Sequence, residues 1–378
     1  MQFMRGIFLS TCLVLATTPA WPSTNWIIRG SSALDALCFV NDLTGDKLVE
    51  ESVFYRDDVA KLKPRLDAKA LAALDRLRKN LREGHGKIVG PFLALVLSAA
   101  PRESIDGFIE AVRQPRQLKR NFSATQYWDY EGWKVFDSSR PDILTALRGL
   151  KAAGFVEYWQ ESVLPKIAAK AQALRSQSAN TDLLGYQEKL VGHSFSSDRI
   201  EVILMHFCRP YGIRITGVRY LTDVDYPVDI VLRNAAHEPF HPPFSGTSAM
   251  WAALAPLHDD LYVRRVYDAH DRKFSYNSWE AYVEEDSVQA LEQLVSEHFR
   301  FAIDPALRWR YADGGMHVLA AALYRALKDD RYEQTGGNYE EWLIGAVKSG
   351  RLGPHPLEAL ARRVLEVSAG STAMPRKP

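Results

Sequence analysis

The chain has 378 residues, of which 47% are hydrophobic and 25% are charged. This balance is typical of a folded globular protein and excludes a disordered or membrane-embedded chain. The formal net charge is +1, so the composition gives no electrostatic reason to expect nucleic acid or an anionic membrane surface as a partner. The length allows two domains, or one large domain with a well-buried core.

The first twenty residues have the order of a secretory signal. A positive charge at Arg5 precedes an apolar run over residues 7–16, and small residues follow as far as Ala20. The apolar run is too short to span a bilayer. We therefore predict a signal peptide over residues 1–20 and a periplasmic or secreted protein that has no stable membrane insertion after cleavage.

Two cysteines, Cys38 and Cys208, remain after the predicted cleavage. In an oxidising compartment they form either one disulfide or two buried thiols, and the sequence does not separate these alternatives. Two cysteines are too few for a zinc site that is built from cysteine alone.

The segment from about Ser31 to Val191 predicts helices. In "LDAKALAALDRLRKNL" four leucines recur at helical spacing, and they are Leu71, Leu74, Leu77 and Leu81. The segments "PRESIDGFIEAVRQ" and "TALRGLKAAGFVEYWQESVLPKIAAKAQAL" repeat the pattern. Between them lies "TQYWDYEGWKVFD", in which we interpret the dense aromatic residues as packing between helices.

The pattern changes near Ser196. "RIEVILMHF" and "YGIRITGVRYL" are rich in Ile, Val and Tyr and predict two strands. "NSWEAYVEEDSVQALEQLVSEHFRF" predicts a long helix capped by Asn277 or Ser278, and "GGMHVLAAALYRALKDD" predicts another. We therefore expect an α+β fold that is predominantly α-helical, with a helical region over residues 21–195, a second domain over 196–365 and a flexible tail over 366–378.

The segment "NAAHEPFHPPF" contains two histidines, His237 and His241, with Glu238 between them. On a helix, residues i and i+4 lie on the same face, so both imidazoles can bind one Zn²⁺ ion at about 2.0–2.1 Å. Glu238 can then act as general base toward a water molecule whose pKa the zinc lowers. The alternative is a pair of surface histidines near a helix end.

Three prolines modify this motif. Pro239 lacks the backbone N–H that the motif helix would use, and Pro242 and Pro243 predict that the helix ends directly after His241.

A peptidase zinc site also needs a third protein ligand, which leaves the fourth position for water. No further histidine follows at the short metzincin spacing, so a carboxylate on the later helix is the remaining choice. A helical projection places Glu284 nearer the apolar arc and Glu285 nearer the polar arc. Acidic residues at a helix start also complement the helix dipole without binding a metal.

"HEPFHPPF" followed by "VEEDSVQALEQL" resembles the gluzincin-type zinc peptidases of the MA clan, and most closely a group of exported bacterial proteins described as a domain of unknown function. The resemblance covers about residues 200–347. It implies a zincin-like core with a small sheet and a helix that carries the HExxH motif. It also implies Zn²⁺ bound by His237, His241 and Glu285, with Glu284 as the substitute third ligand.

The same families have a Gly-aromatic stretch that opens a later helix, and "DGGMHVLAAALYRAL" occupies that place. The resemblance thus makes His317 a catalytic residue that stabilises the oxyanion, with Tyr311 as the other candidate.

Together these features predict an exported zinc metallopeptidase that hydrolyses peptide bonds in a peptide or protein substrate. The alternative is a non-catalytic exported protein that retains a zincin fold as a binding or scaffold module.

Overall fold

The computed structural model describes residues 24–46, 54–195, 197–209, 212–272, 276–353 and 356–366. The predicted signal peptide and all of the predicted tail except Glu366 lie outside these residues. The described chain is predominantly helical and contains one small mixed sheet, so the predicted α+β class is confirmed.

The α-helices are, in chain order, α1 (Ser32–Leu43), α2 (Arg56–Leu62), α3 (Ala68–Leu77), α4 (Val89–Leu97), α5 (Ile105–Arg113), α6 (Pro115–Ser123), α7 (Tyr130–Ala152), α8 (Phe155–Tyr158), α9 (Leu164–Ser178), α10 (Leu183–Val191), α11 (Val228–His237), α12 (Ser248–His258), α13 (Leu261–Ala269), α14 (Trp279–His298), α15 (Pro305–Tyr311), α16 (Val318–Asp329), α17 (Tyr332–Thr335), α18 (Tyr339–Lys348) and α19 (Pro356–Leu365). Short 3₁₀ or π turns occupy Lys63–Arg65, Arg78–Gly84, Trp159–Val163, Glu238–Phe240 and Ala312–Gly315. Helix α14 begins at the predicted cap, because the Ser278 side chain accepts a hydrogen bond from the Ala281 N–H.

The sheet has four strands in the order β1-β2-β4-β3. They are β1 (Asn25–Gly30), β2 (Arg199–Met205), β3 (Ile213–Ile215) and β4 (Arg219–Asp223). Strands β1, β2 and β4 are parallel, and β3 runs antiparallel to β4 at the edge. The second predicted strand is therefore a hairpin, whose turn contains Gly217 at φ 82°, a left-handed conformation that glycine adopts without steric cost.

Strand β1 was not predicted, and it changes how the two halves of the chain are related. It pairs with β2 over its whole length, from Asn25 opposite Arg199 to Gly30 opposite Leu204. The predicted boundary after residue 195 therefore passes through one continuous sheet. A single hydrophobic core cluster contains residues from both sides, from Ile28 to Val364.

The N-terminal helices pack largely as predicted. Leu74, Leu77 and Leu81 are buried, whereas Leu71 is 37% exposed because Ala70 occupies the buried face of α3 instead. In the aromatic segment, Trp133 and Phe136 are buried with their ring centroids 5.3 Å apart, which confirms the packing role for this pair.

The two cysteines are free and buried, which is the second of the two predicted alternatives. Burial raises the pKa of both thiols well above the usual value, so both are held as unreactive thiols. No helix in the described part of the chain is long and apolar enough to cross a bilayer.

Candidate metal centre

The His-Glu-x-x-His segment lies at the end of α11, where an α-helix gives way to a tighter turn. The helix ends at His237, residues 238–240 form a 3₁₀ turn, and His241 has extended backbone angles (φ −81°, ψ 118°). The helix therefore ends four residues earlier than predicted. Pro239 accounts for this, because it cannot donate to the carbonyl one turn earlier and its ring collides with that group.

The turn nevertheless brings both histidines to one point, together with Glu285 of α14. The Nε2 atoms of His237 and His241 are 3.0 Å apart. Oε2 of Glu285 lies 3.6 Å from each of these nitrogens. We call these three residues the metal triad; within the described residues they are the group of three whose ligand atoms converge closely enough for one ion.

The dimensions of the metal triad fit a zinc ion. In a tetrahedral site with bonds of about 2.0–2.1 Å, ligand atoms are about 3.3 Å apart, close to the separations of 3.0, 3.6 and 3.6 Å. A circle through the three atoms has a radius of about 2.0 Å, so an ion at bonding distance lies slightly outside their plane. That geometry leaves a fourth position open.

The charges within the metal triad are arranged for a cation. Burial raises the pKa of the Glu285 carboxyl, but the two histidines and a hydrogen bond from Gln289 outweigh it and hold the pKa well below the usual range. Burial lowers the pKa of His237, and the Glu285 charge outweighs this and raises it. A buried, ionised carboxylate therefore faces two imidazoles whose protons a dication can displace.

Glu284, the substitute third ligand, has a different partner. Its Oε1 atom is 2.9 Å from Nδ1 of His241, the nitrogen that faces away from the other two members of the metal triad. A carboxylate in this position fixes the tautomer and orientation of a ligating imidazole. The helical projection misplaced the two glutamates because α14 is buried on nearly all sides and has no broad solvent face.

Two residues that the sequence motifs did not reveal lie next to Glu285. Gln289 donates to Oε1 of Glu285 at 2.9 Å, and its own carbonyl oxygen accepts from Trp309 Nε1 at 2.9 Å. The Tyr276 phenol also lies near Glu285, and burial together with the charge of this carboxylate raises the pKa of Tyr276 above its usual value. These contacts orient the carboxylate and place a phenol beside the metal position.

Glu238, the predicted general base, is partly buried next to His237. Its carboxylate accepts no side-chain hydrogen bond from any residue that the structure describes. Its charge reaches two tyrosines: burial is the larger cause of the raised pKa of Tyr127 and Tyr220, and the Glu238 charge adds to it. Glu238 is thus a carboxylate with lone pairs free for a proton, one residue from the metal triad.

The predicted oxyanion donors lie elsewhere. His317 is fully buried, with Nδ1 at 2.5 Å from Asp286 and Nε2 at 2.9 Å from Asp313. We call these three residues the His317 cluster. Burial lowers the pKa of His317, but the two carboxylates outweigh it and raise the pKa to about 10. With both nitrogens bonded to carboxylates, His317 has no N–H free for a substrate, and Tyr311 is 68% exposed.

A cavity of about 450 Å³ borders the motif turn. Its wall includes His241, Pro239, Phe244 and Arg214 of the edge strand β3, together with Gln126 from the aromatic segment. The cavity thus reaches a member of the metal triad from the side of the sheet edge. Clefts of this size, with a few polar groups on the wall, are typical ligand sites.

Comparison with known proteins gives no assignment. No family model, no curated protein and no solved structure matches the chain. The function must therefore be argued from the geometry of the site.

Proposed function

We propose that the protein is an exported zinc metallopeptidase. The observation that carries this proposal is the convergence of Nε2 of His237, Nε2 of His241 and Oε2 of Glu285 on a circle of about 2.0 Å radius, which is the length of a zinc bond. Export rests on the order of charge and apolar residues in the first twenty positions.

In this proposal His237, His241 and Glu285 hold the ion, and Glu284 orients His241. A bound Zn²⁺ supplies acidity to a water molecule and polarises the substrate carbonyl. Glu238 would accept a proton from the water and deliver it to the leaving amine, because it directly follows His237 and its oxygens accept no side-chain hydrogen bond from the described residues. The zincin-like arrangement of the sheet and the motif helix is part of the proposal.

Tyr276 replaces His317 as the group that we assign to the developing oxyanion. Its phenol lies close enough to Glu285 for the charge of that carboxylate to act on it, which places the hydroxyl near the metal triad. Both nitrogens of His317, by contrast, are occupied within the His317 cluster. A phenol that keeps its proton at neutral pH can donate to an oxyanion.

Elemental analysis and one substitution test the proposal. We expect about one zinc per purified wild-type chain, and hydrolysis of a fluorogenic peptide library that falls by about 10³-fold or more in Glu238→Gln without loss of zinc. Glu157→Gln, an exposed carboxylate on α8, is the matched control and leaves both readouts unchanged.

Two results separate the alternatives. A wild-type protein that binds zinc fully but hydrolyses no member of the library supports the non-catalytic binding or scaffold module. A wild-type protein that carries no zinc, and gains none on titration, rules out the metal triad as a zinc site and the peptidase with it.

A further inference from the structure

Arg214 is a partly buried cation at the edge of the sheet, next to the metal triad. It lies in the middle of β3, and its Nη1 donates to the backbone carbonyl of His241 at 2.8 Å. Its guanidinium lies 5.6 Å from the ring centroid of Tyr127. One side chain therefore connects the edge strand, the motif turn and the aromatic segment.

The guanidinium has no carboxylate partner within 4 Å among the residues that the structure describes. A guanidinium has five N–H donors in a planar fork, and the hydrogen bond to the His241 carbonyl uses only one of them. Glu340, the acidic residue on the same cavity wall, is already occupied: its oxygens accept from Ser245 N at 2.7 Å and Ser245 Oγ at 3.0 Å. Arg214 thus leaves a positive charge and free donors on the wall of the 450 Å³ cavity.

Tyr127, whose ring lies beside the Arg214 guanidinium, offers a second donor next to this wall. Its oxygen accepts a hydrogen bond from Gln126 Nε2 at 3.1 Å, so its own proton remains available to donate. The charge of Glu238 reaches the same phenol. A carboxylate bound by Arg214 would therefore lie next to His241, on the wall of the same cavity.

We propose that Arg214 and Tyr127 bind a carboxylate of the substrate and that the enzyme prefers peptides with a free C-terminal carboxylate. This proposal rests on the proposed peptidase function. Guanidinium forks match carboxylates in bidentate geometry, and such charge-assisted hydrogen bonds are stronger than neutral ones. An acidic side chain near the cleaved bond offers the same chemistry, so the test separates these two sources.

The test uses three peptides of one sequence on zinc-loaded protein: the free acid, the C-terminal amide, and the amide with a glutamate in place of the last residue. We expect wild type to favour the free acid over the plain amide by about 10- to 100-fold in kcat/KM, mainly through KM. Arg214→Met removes this preference by slowing the free acid alone. Arg214→Lys keeps part of it, since lysine retains the charge without the fork.

Controls separate recognition from folding and from catalysis. Arg199→Met removes an exposed arginine from β2 of the same sheet and leaves the preference unchanged. Zinc content is measured for each variant, because Arg214 also supports the His241 carbonyl. Binding of the same peptides to zinc-loaded Glu238→Gln, followed by fluorescence anisotropy, reports recognition without hydrolysis.

Each outcome bears on one proposal. If wild type hydrolyses none of the peptides but the free acid binds more tightly than the amide in an Arg214-dependent way, the peptidase fails and the carboxylate site stands. Equal binding of acid and amide, or equal losses for both in Arg214→Met, overturns the carboxylate site. If the glutamate-containing amide is preferred over the free acid, Arg214 binds an acidic side chain of the substrate, and the proposed preference for a C-terminal carboxylate is wrong.

Discussion

Two histidine–carboxylate clusters share helix α14, and they differ in what their nitrogen atoms face. In the metal triad, three ligand atoms converge on one point and a fourth position is open. In the His317 cluster, each imidazole nitrogen is bonded to a carboxylate and the histidine is fully buried. Histidines beside acidic residues therefore do not by themselves make a metal site.

The difference arises from neighbouring positions of one helix. Glu285 and Asp286 are adjacent in sequence, and successive side chains on an α-helix point about 100° apart. Glu285 consequently faces the turn after α11, while Asp286 faces the start of α16, where it also accepts the Ala320 N–H at 2.9 Å. One acidic pair thus supplies a candidate metal ligand on one side and a structural ion pair on the other.

The largest effect is expected from Glu285→Gln, which tests whether the metal triad binds zinc. An amide cannot supply the charged oxygen that completes the metal triad, so zinc affinity should fall by about 10³-fold, roughly the share of one ligand in the binding free energy. Competition with a chromophoric chelator measures this affinity. The control is Glu280→Gln, at the exposed start of α14, which should bind zinc like wild type. If Glu285→Gln also bound zinc with wild-type affinity, Glu285 would not be a zinc ligand.

A smaller effect, on the stability of the fold, is expected from changes in the His317 cluster. The pKa of His317 is raised to about 10 in the folded protein, against about 6.5 in an unfolded chain. The ion pair therefore stabilises the fold fully below about pH 6.5, and this stabilisation is lost as the pH rises through 10.

Asp286→Asn is the variant that isolates this contribution. We expect it to lower the free energy of unfolding of the zinc-free protein by about 3 kcal/mol at neutral pH, because the buried imidazolium loses one of its two partners. Its stability should also depend less on pH above 7 than that of wild type. Denaturant unfolding measures both quantities, and zinc binding should persist. Loss of zinc as complete as in Glu285→Gln would show that the two clusters act as one site.

The smallest effect is expected from Glu284→Gln, which keeps a hydrogen-bonding group beside His241 but removes its charge. Loss of such an orienting carboxylate weakens zinc binding by about 10- to 100-fold. The same chelator competition measures the change. An effect as large as that of Glu285→Gln would mean that Glu284, the nearer carboxylate to His241 Nδ1, is the ligand instead.

The sequence predicted the fold class and the pair of histidines because both depend on local signals, whereas Glu285 was indicated only by the family resemblance. Helical periodicity and caps, such as Ser278, are short-range properties. His237 and His241 still face one point although the α-helix ends between them, because the 3₁₀ turn also returns the chain to the same side.

The remaining features depend on contacts between distant parts of the chain. Tyr127 was interpreted as packing, and only the position of Arg214 on the edge strand shows that its ring lies against a guanidinium on the cavity wall. Tyr276 carries no motif and is recognised by its contact with Glu285. The burial of His317 depends on two carboxylates, one of which lies on another helix.

The pairing of β1 with β2 also has a consequence for the order in which the protein is assembled. Strand β1 lies near the beginning of the described chain, yet its hydrogen-bonding partner begins only at Arg199. Closing so long a loop is slow relative to forming the local helices between the two strands. A fragment that stops at residue 195 would leave β1 without its hydrogen-bonding partner and therefore prone to self-association.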